Sequence, residues 1–94
     1  MDQLASRLDD LAAELRATEE LHIERSAARW IGEAEAVAVD LAQGDPDTDT
    51  VLRRVGHVAE LLENVDGTGN PDADEHVVAA KATAADVLDR CREL

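Results

Sequence analysis

The sequence predicts an all-α domain folded as an antiparallel up-and-down four-helix bundle, and three observations predict it. Apolar residues recur at spacings of three and four along most of the chain, the period of one helix face. Seventeen of the 94 residues are Ala, with no Phe, no Tyr and a single Trp. Ala is the best helix former and lets helix backbones approach closely. Two stretches rich in Gly, Pro, Asp and Asn, around Gly44-Asp45-Pro46 and Gly67-Thr68-Gly69-Asn70-Pro71, punctuate the pattern. Ninety-four residues form one domain, 1–94, with a modest core.

Leu4, Leu8, Leu11 and Leu15 step by four, three and four, predicting a first helix from about Asp2 to Arg16. The next stripe, Ala27, Trp30, Ile31, Ala34, Val37, Ala38 and Leu41, starts about 120° round the helix from the leucine seam. One continuous helix to Gln43 would be about 63 Å long, with no later segment long enough to cover it. A break is therefore expected between Ala17 and Ile23, although no Gly or Pro marks it. The alternative is three helices, the first long and dimeric. After Gln43, Gly44 suits a position past a helix end, Pro46 a first helical turn, and Asp45, Asp47 and Asp49 compete to cap.

A third helix follows through Val51, Val55, Val58 and Leu62 to near Asn64, antiparallel to the second across a short turn. The loop from Val65 ends with Asn70 as cap and Pro71 as first helical residue of a fourth helix, which runs to the end. Its stripe is Val77, Ala80 or Lys81, Ala84, Leu88 and Cys91, widened by Val78 and Val87. The Trp30 helix is expected at the centre, and Gly32 and Gly56, each inside a helix, imply close packing of helices two and three at their level.

Twenty-two acids face nine bases, a net charge of −13, and eight of the bases are Arg. Such self-repulsion weakens a compact state in dilute salt, whereas near 1 M the screening length falls to about 3 Å. The composition resembles that of haloarchaeal proteins, and Arg29-Trp30-Ile31-Gly32-Glu33-Ala34-Glu35-Ala36-Val37-Ala38 is similar to small uncharacterised haloarchaeal proteins. That resemblance implies a salty interior and assigns no activity. The charge argues against nucleic acid and anionic membranes as partners. No apolar run reaches the roughly 20 residues of a membrane span, and the N-terminus lacks a signal-peptide pattern, so the expected location is cytoplasmic. Cys91, alone, is expected to be a buried thiol.

Candidate chemistry is sparse. Asp66 to Asp74 alternates oxygen side chains like the start of an EF-hand loop, but Asn70-Pro71 replaces the turn glycine and Val77 the closing glutamate. His57, Glu60 and Glu63 share a helix face, yet bundle metal sites use Glu-x-x-His from two helices and the order here is reversed. Against the phosphotransfer domains of two-component signalling, Glu60 and Leu61 stand after His57 where a lysine and a glycine belong.

Glu60-Leu-Leu-Glu63 and Thr83-Ala-Ala-Asp86 are similar to the E-x-x-E and E-x-x-D pairs of the all-α nucleoside triphosphate pyrophosphohydrolases, with Thr83 in place of a glutamate. That resemblance implies Mg²⁺ held by Glu60, Glu63 and Asp86. The chain has no phosphate-binding glycine loop, no serine triad and no base for Cys91, and the balance is against catalysis. The leading expectation is a non-enzymatic helical interaction or scaffold protein without cofactor, self-associating through the Trp30 helix. The magnesium-dependent pyrophosphohydrolase is the alternative.

Overall fold

The computed structural model describes residues 3–93. The expected helix start at Asp2 and the final Leu94 lie outside the described residues. Four helices run α1 Gln3–Arg16, α2 Arg25–Gln43, α3 Thr48–Glu63 and α4 Pro71–Arg92. The molecule measures 38 × 20 × 17 Å. Each helix packs on two neighbours, α1 on α2 and α4, α3 on α2 and α4, and the diagonal pairs stay apart. This is a square up-and-down bundle, so no helix is central. The expectation for the Trp30 helix is corrected accordingly.

The stripes become the core because each helix turns one face inward. Leu8, Leu11 and Leu15 of α1 meet Ala27, Ile31, Ala34, Ala38 and Leu41 of α2. Val51, Val55, Val58, Leu61 and Leu62 of α3 and Val77, Ala80, Ala84, Val87 and Cys91 of α4 complete it. Full burial of a Leu, Ile or Val contributes about 1.5–3 kcal/mol each. Trp30 and Val37 lie at the edge, half-buried against the same cluster.

The ends of the helices follow local chemistry. Asp47 caps α3, its carboxylate accepting from the Thr50 N–H at 2.8 Å. Asn70 caps α4, accepting from Asp72 and Ala73 N–H at 2.9 and 3.2 Å, with Pro71 in the first turn. The break after α1 falls within 17–24 and is made without Gly or Pro. The Thr18 hydroxyl donates to the Leu15 carbonyl at 2.7 Å, and tight turns from Thr18 to Leu15, Glu19 to Arg16 and Leu21 to Thr18 end the helix. Thr18 is buried, anchoring the turn.

Two loops meet at that end of the bundle. The Glu24 N–H donates to the Thr68 carbonyl at 2.8 Å, and Asn70 Nδ2 to the His22 carbonyl at 3.3 Å. Thr68 is fully buried. Its N–H donates to Asp74 Oδ1 at 2.9 Å. Its hydroxyl accepts from the Asn70 N–H at 3.1 Å and has two acceptors for its one proton, Asp74 Oδ1 at 2.8 Å and the Asn70 carbonyl at 2.9 Å. Gly67 and Gly69, with φ of +99° and +81°, supply the left-handed backbone on either side of Thr68.

The glycine expectation fails. Gly32 is exposed and Gly56 half-buried, and a Cβ at either would meet nothing within 4 Å. Neither glycine marks a close approach of α2 and α3.

Candidate functional site

The residues of the pyrophosphohydrolase-like motif are not brought together. Glu60 and Glu63 are exposed near the C-terminal end of α3, while Leu61, Leu62 and Val87 are buried. Asp86 lies fifteen residues into the antiparallel α4, which places it roughly 18–22 Å further down the bundle. There it accepts from Arg7 Nε at 3.0 Å and from Arg90 Nε at 2.8 Å through the same Oδ2 atom. Arg90, and after it Arg7, hold the Asp86 carboxyl below the usual carboxylate range. Thr83, at the place of the missing glutamate, is buried. Among the described residues no group of three or more His, Cys, Asp and Glu is arranged to hold a metal ion.

The EF-hand-like loop is accounted for by its own bonds, since Asp74 and Asn70 are committed to Thr68 and the α4 cap. Cys91 is buried, and burial pushes its thiol up. A buried, protonated thiol is a poor nucleophile.

Two features were not visible in the sequence. Glu35 on α2 stands beside Glu19 of the α1–α2 connection, and its carboxyl is pushed up to about 7. Burial is the larger cause and the neighbouring Glu19 the next, opposed by the positive charge of Arg16. Both carboxyls line a groove of about 330 Å³ with Thr18, His22 and Ile31. Glu19 and Glu35 are sixteen residues apart in sequence and on different elements, so no periodic signal marks the pair.

The second feature is the outer side of α4. Val78, expected on the apolar stripe, is 67% exposed, because it lies 100° round the helix from buried Val77. Ala82 and Ala85, four and seven residues on, are also exposed. Between α1 and α4, Ala17, Leu21 and Ala79 line a groove of about 370 Å³ edged by Glu14, Asp72 and Glu75. His76 Nδ1 lies 2.9 Å from Glu14 Oε1 across it. Glu75 and Ala79 belong also to the shallow surface around Val78, so groove and patch are continuous.

Residues 7–93 match the family described as Domain of unknown function (DUF8152). The chain belongs to that family. The matched span takes in α2, α3 and α4 whole and α1 from Arg7, so the family's shared unit is the bundle itself. No curated protein and no solved structure matches the chain. No described helix is long and apolar enough to cross a membrane.

Proposed function

We propose that this DUF8152 domain is a non-enzymatic helical interaction module of a salt-rich cytoplasm, presenting helix faces to other proteins and to copies of itself. One observation carries the reading: with all four core stripes buried, Val78 on α4 still stands exposed on a helix face, and Trp30 on α2 is only half-buried at the edge of the core. In a chain with 22 acids, apolar residues on outer faces run against the rest of the surface. Aromatic side chains are enriched among the residues that anchor interfaces. The low-lysine, acid-rich composition that resembles haloarchaeal proteins supports the salty setting.

Sedimentation equilibrium near 1 M salt, with the wild type and Trp30→Ala, tests self-association through α2. A concentration-dependent dimer that the substitution weakens, with a blue-shifted Trp30 emission in the dimer, is the expected result. A monomer at every concentration with unshifted emission refutes it. The salt requirement has its own test. Helical circular dichroism should fall on dialysis to millimolar salt, because repulsion among the −13 net charges is then unscreened. Unchanged helicity and melting temperature would refute that part.

A further inference from the structure

We infer that the Val78 patch and the adjoining α1–α4 groove form a docking surface for a cationic amphipathic helix of a partner protein. This rests on the interaction reading above and adds the face and the chemical class of the partner.

The argument starts from charge. The α1–α4 groove is edged by Glu14, Asp72 and Glu75, and the continuous surface around Val78 adds Asp74. No lysine or arginine lines either part, and the one basic side chain, His76, already faces Glu14 at 2.9 Å. The α1–α2 groove, about 530 Å³ and similarly floored with alanines, has Asp9 balanced by Arg16. Some acids elsewhere are paired with arginines, Asp86 between Arg7 and Arg90, Asp40 beside Arg54 and Asp89 beside Arg92. Glu14, Asp72, Asp74 and Glu75 thus surround the one large hydrophobic side chain that is exposed among the described residues.

An apolar centre with an acidic rim suits a helix carrying a short apolar stripe bordered by Lys or Arg. Such a helix would lay its stripe over Val78 and Ala79, beside Ala17 and Leu21, while its cations met Glu14, Asp72 and Glu75. Helix-in-groove recognition works through anchors spaced i, i+3, i+4 on one face. Near 1 M salt only contact ion pairs survive screening. The apolar anchor then carries affinity and the acids fix orientation and partner choice. A second copy of this chain suits the surface poorly, since it brings the same excess of carboxylates.

The probe is a synthetic amphipathic helical peptide of Leu, Ala and Lys, titrated into the isotopically labelled protein near 0.1 M and near 1 M salt. Its counterpart with Glu in place of Lys serves as control. Expected are amide shift changes confined to Ala17, Leu21 and residues 72–82, weaker binding at the higher salt, and no binding of the Glu peptide. Val78→Ser should weaken binding about tenfold at both salts. Glu14→Gln with Glu75→Gln should weaken it mainly at low salt and flatten the salt dependence. Glu33→Gln with Glu63→Gln, exposed acids on other helices, should change it less than about twofold. Val78 and Glu75 are on the surface, so these variants keep the fold, which circular dichroism checks. Shift changes spread over all acidic faces, equal binding by Val78→Ser, or no binding overturns the inference. A dimer of the protein alone that Val78→Ser dissolves also overturns it, assigning the face to self-association. The Trp30 experiment reads a different helix, so failure here and failure of the module reading are distinguishable.

Discussion

Arg7 on α1 and Asp86 on α4 join the helices farthest apart in the chain, Nε to Oδ2 at 3.0 Å, and Arg90 reaches the same oxygen from one turn along α4. The carboxylate that resembles a magnesium ligand in the sequence is a structural tie between α1 and α4. Asp86→Asn should lower the melting temperature slightly near 0.1 M salt and have almost no effect near 1 M, as for other exposed ion pairs. Thermal melts at the two salts measure this. Added Mg²⁺ beyond the background salt should leave the wild-type melting temperature unchanged.

Gly32 and Gly56 should be replaceable with profit to stability. Both are helical with open space where a Cβ would stand, so Gly32→Ala and Gly56→Ala should each stabilise by about 0.5–1 kcal/mol. Chemical denaturation decides it, and destabilisation by either would mean a close approach that the open space does not provide for.

Thr68→Val keeps the side-chain volume and removes the hydroxyl, leaving the Asn70 N–H without its acceptor and the Asp74 carboxylate and Asn70 carbonyl without the hydroxyl donor. The expected cost is about 1–3 kcal/mol, the range for a buried polar group losing its partner. Thr68→Ser, which keeps the hydroxyl, should cost less. Equal losses in the two variants would show that the methyl, and not the bond, matters.

Glu35 sets a pH dependence of definite sign. Its carboxyl is raised from 4.5 to about 7 in the folded state, so the folded protein holds this proton more tightly than the unfolded chain. The stabilisation is fully present below pH about 4.5 and is lost as pH rises through about 7. Glu35→Gln should flatten the change in melting temperature across that window. A carbon-13 titration of the Glu35 carboxyl should have its midpoint near 7, and a midpoint near 4.5 would refute the upward shift.

The four helices were legible because burial on one face imposes a 3.6-residue period, and Leu8-Leu11-Leu15 or Val51-Val55-Val58-Leu62 admit one inward direction. Gly44 and Asn70-Pro71 announced two connections through local backbone chemistry. The break after Arg16 was legible only as a conflict of faces. Its fastening is the carbonyl of Thr68, more than forty residues away, and Glu24 at the α2 start makes no side-chain cap. Which aspartate caps α3 was left open among three, and hydrogen-bond geometry selects Asp47. Val78 was placed on the inner stripe because a broad apolar pattern does not say where burial stops. The Glu19–Glu35 pair and the acidic α1–α4 groove arise from tertiary proximity, which no spacing encodes.

The bond from the Glu24 N–H to the Thr68 carbonyl ties two loops at one end of the bundle, whereas Arg7, Asp86, Arg90 and Gln3 tie the other by side chains at the surface. These fastenings respond differently to the medium: a part-buried loop pair joined by backbone hydrogen bonds responds little to ions, while exposed ion pairs fade as salt rises. Amide exchange should therefore be polar along the long axis. The Glu24 and Asn70 amides should exchange only when the whole molecule unfolds, and the first turns of α1 and last turns of α4 should open locally far more often. Raising the salt should slow the first class by relieving repulsion throughout the chain and quicken the second relative to it, widening the gap between the two ends.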